Sequence, residues 1–345
     1  MRVKCAECRN EARTVPRLGR RCIHSARRHG AGAQIAERRF RIAFANLTED
    51  PSVHLEGLGF TGLEVRRSFE LASRTLPVDV IYYDNNGDAQ KAVANANDAI
   101  ERRVDLFIEY NADLEANGEI GRRMRGAGIP VLAINTSVPG APLYSADNIA
   151  AGRIAGKALA EFARENWADQ AVVAVIAGDL GETAPYLGER IRGIVEALRQ
   201  GLPEIALTQL DTSGNPVRLD GLLSKFLASQ TRRKILIAAL DDPTALAAKA
   251  AVERAMRVSD CVIVGQGLDR SVHGGAGEKK EIDPANRGSM VLGSVAYYLD
   301  LYGYEILPLA LRMLRGEQVP MRTTTKHILV SARNVFKEYP PTDMN

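Results

Sequence analysis

Residues 234–265 read KILIAALDDPTALAAKAAVERAMRVSDCVIVG, and this stretch decides the fold. An apolar run of strand length, 234–240, ends at Asp241-Asp242. Pro243 follows where a first helical turn tolerates a residue without an amide hydrogen. Segment 243–257 reads as a helix, and 260–265 is a second apolar run. Neither run alternates apolar with polar residues, so both are expected to be covered on both faces, as in a parallel sheet. Strand, helix and strand in that order make one crossover unit.

The unit recurs on both sides at intervals of about 30 residues from Phe40 onward. Further strands are expected at 41–46, 78–83, 104–110, 130–135, 171–177, 204–210 and 289–294. Helices are expected at 62–74, 88–102, 113–128, 148–166, 186–200, 216–229 and 302–316. So many strands in 345 residues favour an α/β protein of two doubly wound parallel-sheet lobes over a single sheet. Within 148–166, Gly152, Ala155 and Gly156 read as small residues that let the helix approach its sheet closely. Cys261, inside an apolar run, reads as a core thiol.

Hydrophobic residues make up 46% of the chain and charged residues 25%, which fits a globular protein. No apolar run reaches the roughly 18 residues that a membrane-spanning helix needs. The net charge of +3 conceals an asymmetry: residues 1–41 hold 12 Lys/Arg against 3 Asp/Glu, and the remainder holds 33 against 39. The body is therefore mildly acidic and carries no nucleic-acid footprint, which would need basic residues on the folded part.

The basic segment 1–39 reads as a disordered leader or as translation from a start placed too far upstream. It lacks the apolar stretch of a secretory signal. It is also too short for a helix-turn-helix domain. Cys5, Cys8, Cys22 and His24 could supply four zinc ligands, but Cys22 and His24 stand too close for the usual ligand spacing. No metal site and no disulfide framework are expected.

In open α/β sheets, ligands bind beyond the carboxyl ends of the strands. Those ends carry Asn46, Asp84-Asn85-Asn86, Glu109-Tyr110-Asn111, Asn135-Thr136, Asp179, Asp241-Asp242 and Gln266. The set is rich in amides and carboxylates and poor in nucleophile–base pairs. Planar groups that make two hydrogen bonds suit adjacent hydroxyls on a sugar ring. The same residue types also cap helices, and Asp84 and Asn86, just before a helix near Asp88, read that way.

Five motifs carry a family resemblance. They are Gly128-Ile129-Pro130-Val131-Leu132-Ala133-Ile134-Asn135, then Asp147-Asn148-Ile149-Ala150-Ala151-Gly152-Arg153-Ile154-Ala155-Gly156, then Ala238 to Leu246, Val262 to Gly267, and Leu314-Arg315-Gly316-Glu317-Gln318-Val319-Pro320. In order and spacing they resemble the type I periplasmic sugar-binding proteins of the ribose-binding group, over residues 41–337. The resemblance implies two lobes joined by a hinge of three chain crossings. An N-terminal lobe would hold 41–144 and 298–325, and a C-terminal lobe 145–297 and 326–345. It also implies cleft contacts from Asn46, His54, Glu56, Phe60, Glu109, Asn111 and Asn135 in the first lobe. The second would supply Arg190, Asp241 and Gln266, with Tyr297 at a crossing.

Three positions depart from the family pattern. Asn135-Thr136 stands where the family has Asp-Arg, Asp241 replaces Asn, and Gln266-Gly267 replaces Phe-Asp. These departures argue against plain ribose. They leave Phe60, Tyr110, Tyr186 or Tyr297 to cover a sugar face, as aromatic rings do well.

Enzyme motifs are missing: no Gly-x-Ser-x-Gly elbow, no His-Glu-x-x-His helix, no Walker sequence, and Gly265-Gln266-Gly267 completes no dinucleotide fingerprint. His273-Gly274-Gly275-Ala276-Gly277 reads as a flexible connector, and His54 and His327 have no evident Cys or Ser partner. The expected function is non-enzymatic and needs no cofactor. A monomer would bind a monosaccharide or polyol and deliver it by hinge closure to the permease of an ABC importer, with no nucleic-acid partner. The alternative is a sugar-responsive sensor without its own DNA-binding module. The family resemblance implies the periplasm, but no signal peptide is present as written, and a correct start would make the protein cytoplasmic.

Overall fold

The computed structural model describes residues 38–181, 185–273 and 280–339. The leader cysteines and histidine, residues 274–277 of the glycine-rich stretch, and 340–345 of the C-terminal lobe range lie outside the described residues.

The apolar runs become strands in the expected alternation. The chain opens with β1 (Phe40–Asn46), α1 (Gly62–Ser73), β2 (Val78–Asp84), α2 (Ala89–Glu101), β3 (Leu106–Glu109), α3 (Leu114–Gly126), β4 (Val131–Ile134) and the short β5 (Leu143–Ser145). A second series follows with α4 (Asn148–Asn166), β6 (Val172–Gly178), α5 (Pro185–Gly201), β7 (Ala206–Asp211), α6 (Leu219–Ser229), β8 (Lys234–Ala239), α7 (Asp242–Arg254), β9 (Cys261–Gly267) and β10 (Val291–Ala296). The chain then returns through α8 (Tyr302–Leu314) and β11 (Arg322–Thr324) and ends in β12 (Leu329–Val330) and α9 (Val335–Glu338).

Two six-stranded sheets result. Their orders are β2-β1-β3-β4-β5-β11 and β7-β6-β8-β9-β10-β12. Among the described strands every pairing is parallel except that of β12 with β10. The chain passes between the sheets after β5, after β10 and after β11, giving three crossings. Both sheets reverse their strand order at one place, between β1 and β3 and between β6 and β8. Doubly wound sheets open a crevice for a ligand at such a reversal.

Helix starts are fixed by carboxylates at strand ends. Asp88 accepts from Lys91 N at 2.7 Å, Asp113 from Ala116 N at 2.7 Å and Asp147 from Ala150 N at 2.9 Å. Each satisfies an amide that the first helical turn leaves without a partner. Asp84 is not such a cap: its carboxylate accepts from Glu49 N and Asn86 N and so shapes the turn before α2.

The core includes Phe44 stacked on Phe69 at 4.0 Å in the first lobe, and it continues through Leu55 and Leu58 to Ala174 and Val264 in the second. Cys261 is buried as expected, and burial pushes its thiol up to about 12. The small residues of α4 serve a different partner from the one the sequence suggested. A Cβ on Gly152 would lie 2.1 Å from Arg190 O, one on Gly156 2.5 Å from Ile194 O, and one on Gly193 2.2 Å from Ile149 O. The glycines allow α4 to touch helix α5 closely, while α4 also packs on β8, β9 and β10 of its sheet.

Candidate functional site

The carboxyl ends of the first sheet open onto a cavity of about 500 Å³, bounded on its other side by the first turns of α4 and α5. Its walls include His54, Glu56, Tyr110, Asn135, Asn148, Tyr186 and Glu189. A groove of about 740 Å³ between α4 and α5, lined by Arg153, Lys157 and Glu196, lies away from the strand ends and is not part of this site.

The first-lobe wall is a chain of polar contacts. Asn135, just past β4, holds a left-handed backbone (φ 56°), a conformation Asn tolerates better than most residues. Its amide nitrogen lies 3.3 Å from Tyr110 Oη, and its Oδ1 accepts from Ala146 N at 3.2 Å. Tyr110 Oη donates to Glu56 Oε1 at 2.6 Å. Burial pushes the Glu56 carboxyl up, while Tyr110, Asn135 and the charge of Arg190 pull it back.

The second-lobe wall is organised around Arg190 on α5. This guanidinium is fully buried. Nη1 donates to Leu240 O at 2.7 Å, and Nη2 donates to Asn148 Oδ1 at 3.0 Å and to Glu56 O at 3.1 Å. The last of these joins the lobes. The Tyr297 ring lies 4.8 Å from the guanidinium carbon. Tyr297 Oη is 2.9 Å from Gln266 Oε1 and 3.3 Å from Asn148 Oδ1. Asn148 thus sits where Arg190 and Tyr297 converge.

The segment between β1 and α1 reaches across the cleft. Glu56 and Gly57 both have positive φ, 56° and 60°. A Cβ on Gly57 would touch Tyr186 and Leu187, and one on Gly59 would collide with the Asp269 carboxylate. Asp269 N in turn donates to Asp242 Oδ2 at 3.0 Å. Both carboxyls are buried and held above their ordinary values by burial.

The predicted contacts divide into three groups. His54, Glu56 and Asn135 line the cavity, His54 as an exposed residue. Arg190, Gln266 and Tyr297 form the buried network just described. The remaining five serve the scaffold. Asn46 donates to Gly62 O at 2.9 Å and holds the start of α1. Glu109 accepts from Asn85 at 3.0 Å, and Asn111 pairs with Asn117 at 3.1 Å. Phe60 is a correction: its side chain is fully buried in the apolar core and does not line the cavity. Asp241 is another, because its carboxylate is committed to capping α7, accepting from Thr244 N at 2.6 Å and Thr244 Oγ1 at 2.9 Å. Asn148 was not singled out as a contact, since beside Asp147 it reads as an ordinary helix start. Among the described residues no three His, Cys, Asp or Glu side chains are placed to hold a metal ion.

Residues 60–318 match the model of a family described as periplasmic binding protein domain. No curated protein matches the chain in sequence. Solved structures similar to it include a glucose-galactose binding protein from Geobacillus stearothermophilus, at 20% identity and TM-score 0.61, covering 87% of this chain and 99% of that one. A second is an ABC transporter periplasmic solute binding protein from Actinobacillus succinogenes with bound D-allose, at 17% identity and TM-score 0.64, covering 87% and 100%. A third is the Caulobacter myo-inositol binding protein bound to myo-inositol, at 19% identity and TM-score 0.63, covering 88% and 97%. At these identities the likeness establishes the fold.

Proposed function

The chain belongs to the periplasmic binding protein domain family, and on that premise we propose that it binds a monosaccharide or polyol between its lobes and delivers it to an ABC importer. The family is one of solute-binding proteins, not enzymes. The observation that carries the reading is the cavity at the strand ends of the first sheet, walled by hydrogen-bonding groups from that sheet and from helices α4 and α5. Its volume of about 500 Å³ lies within the usual range for small-molecule sites.

The ligand partners we assign are Glu56, Tyr110 and Asn135 from the first lobe and Asn148 and Tyr186 from the second, with Arg190 behind them. Amides and carboxylates bond ring hydroxyls in pairs, and the tyrosines offer faces for C–H surfaces. The ligands in the similar structures, allose and inositol, are neutral polyhydroxylated rings, which favours the same chemical class here. Contacts to both lobes stabilise the closed arrangement, so ligand shifts the hinge equilibrium. The bodies that move are assigned as 41–144 with 298–325 and 145–297 with 326–345. The protein acts as a monomer in the periplasm, and its second partner is a permease that reads the closed form.

A thermal-shift screen of monosaccharides, sugar alcohols and cyclitols tests the reading. A cognate ligand at about 100 times its Kd adds roughly 2.7 kcal/mol, raising the melting temperature by about 5–10 °C. The ligand is recovered chemically unchanged. A panel with no stabilising member, or a ligand consumed by the protein, refutes it.

A further inference from the structure

His327 stands where all three chain crossings meet. It lies on the third crossing, between β11 and β12. Its Nε2 accepts from the backbone N–H of Asp147, on the first crossing, at 3.0 Å. Its Nδ1 is 2.9 Å from the carbonyl oxygen of Ala296, on the second. The ring packs on Tyr297 with centroids 4.6 Å apart. One buried imidazole therefore ties together the three strands about which the lobes turn.

The two partners dictate its protonation. The Ala296 carbonyl only accepts, so Nδ1 carries the hydrogen. The Asp147 amide only donates, so Nε2 must be bare. Only the neutral ring with hydrogen on Nδ1 satisfies both. A second proton would set N–H against N–H and leave the Asp147 amide without a partner.

We propose that neutral His327 is the latch of the hinge, and that protonating it releases the first crossing and shifts the protein towards its open form.

The surroundings favour the neutral ring. Burial lowers the basicity of His327, and the Arg190 guanidinium acts in the same direction. Two contributions oppose them, the hydrogen bond to Ala296 and the Asp147 carboxylate. That carboxylate already accepts from Ala150 N at the head of α4. The Tyr297 phenol stays neutral throughout, since burial pushes it up to about 12. Lys326 beside it in the chain is exposed. Losing one buried hydrogen bond shifts a two-state equilibrium by roughly tenfold.

The test needs no ligand, so it stands or falls independently of the sugar-binding reading. Small-angle scattering of the full ligand-free chain is recorded from about pH 7.5 to about pH 4.5, extending below the ordinary histidine range because burial lowers the basicity of His327. The radius of gyration is expected to rise reversibly as the pH falls, while the thermal transition remains cooperative. His327→Gln, which can donate to Ala296 and accept from Asp147 at either pH, is expected to stay at one radius. The variant His273→Gln is expected to expand like the wild type. A wild type of constant radius, expansion in His327→Gln equal to that of the wild type, or expansion lost in His273→Gln overturns the proposal. Should His327→Gln fail to fold, the wild type and His273→Gln still decide it.

Discussion

Arg190 of the second lobe donates through Nη2 to the backbone carbonyl of Glu56 in the first, at 3.1 Å. The contact joins the lobes directly. It uses a main-chain oxygen that is presented because Glu56 adopts a left-handed backbone. The Glu56 side chain is thereby left to turn back to Tyr110.

Arg190→Ala should therefore lower both affinity and ligand-free stability. It leaves Leu240 O and Asn148 Oδ1 buried with lost donors, a cost of about 1–3 kcal/mol. The melting temperature of the ligand-free protein should fall by several degrees and affinity by at least about tenfold. Calorimetry on the ligand-free and liganded variant reads both. Unchanged ligand-free melting would show that the guanidinium network contributes nothing to the resting fold.

Asp241→Ala should behave differently. Its carboxylate caps α7, so the variant loses about 1 kcal/mol of stability, with affinity reduced by less than about threefold. Asp241→Asn, which keeps a cap acceptor, should restore most of the stability. A large affinity loss in Asp241→Asn would return this residue to the set that touches ligand.

Asn135→Ala and Asn135→Gly separate backbone from side chain. Both remove the contacts to Tyr110 and Ala146, but only Ala is strained at the observed φ of 56°. Both should weaken ligand binding by about tenfold, with Ala roughly 1 kcal/mol less stable than Gly. Equal stability of the two would mean that the turn had rearranged.

Glu109→Gln tests the buried carboxyl behind the site. Burial raises the folded pKa of Glu109 well above its ordinary value of 4.5. The folded state then holds a proton that the unfolded chain releases. Its contribution to stability is complete below pH 4.5 and declines as the pH rises towards the folded pKa. Glu109→Gln keeps the acceptor that Asn85 uses, so it should match the wild type near pH 4 and melt several degrees higher near pH 8. Melting curves across that range that stay parallel would contradict the assignment.

The alternation of elements was legible because buried parallel strands must be apolar throughout, as in 235–239 and 261–264. The strands β5 and β11 were not, since three residues carry no period and their pairing is decided by neighbours distant in sequence. At the site, sequence reading brought Glu56, Asn135, Arg190, Gln266 and Tyr297 into view. It could not separate a cap from a contact at Asp241, because a carboxylate at a strand end suits both roles and the distance to Thr244 N is what distinguishes them. Phe60 shows the same limit for an aromatic residue, whose direction depends on the unforeseen path of 55–60. His327 offered no signal, because its partners are main-chain atoms supplied by two remote segments.

The order of the crossings also governs how the molecule can be made. The outer strand of the first sheet, β11, and helix α8, whose Gly303 sits against Ser68 and Phe69 of α1, are encoded after the whole run from β6 to β10. At ordinary elongation rates the interval between Ser145 and Arg322 lasts roughly 10–35 s. Throughout that interval a nascent first lobe carries a bare edge at β5 and an uncovered apolar patch on α1. Such an edge is a template for pairing with another chain. The lobe that emerges first from the ribosome is thus completed only a few residues before the second, whose own outer strand β12 follows β11 directly.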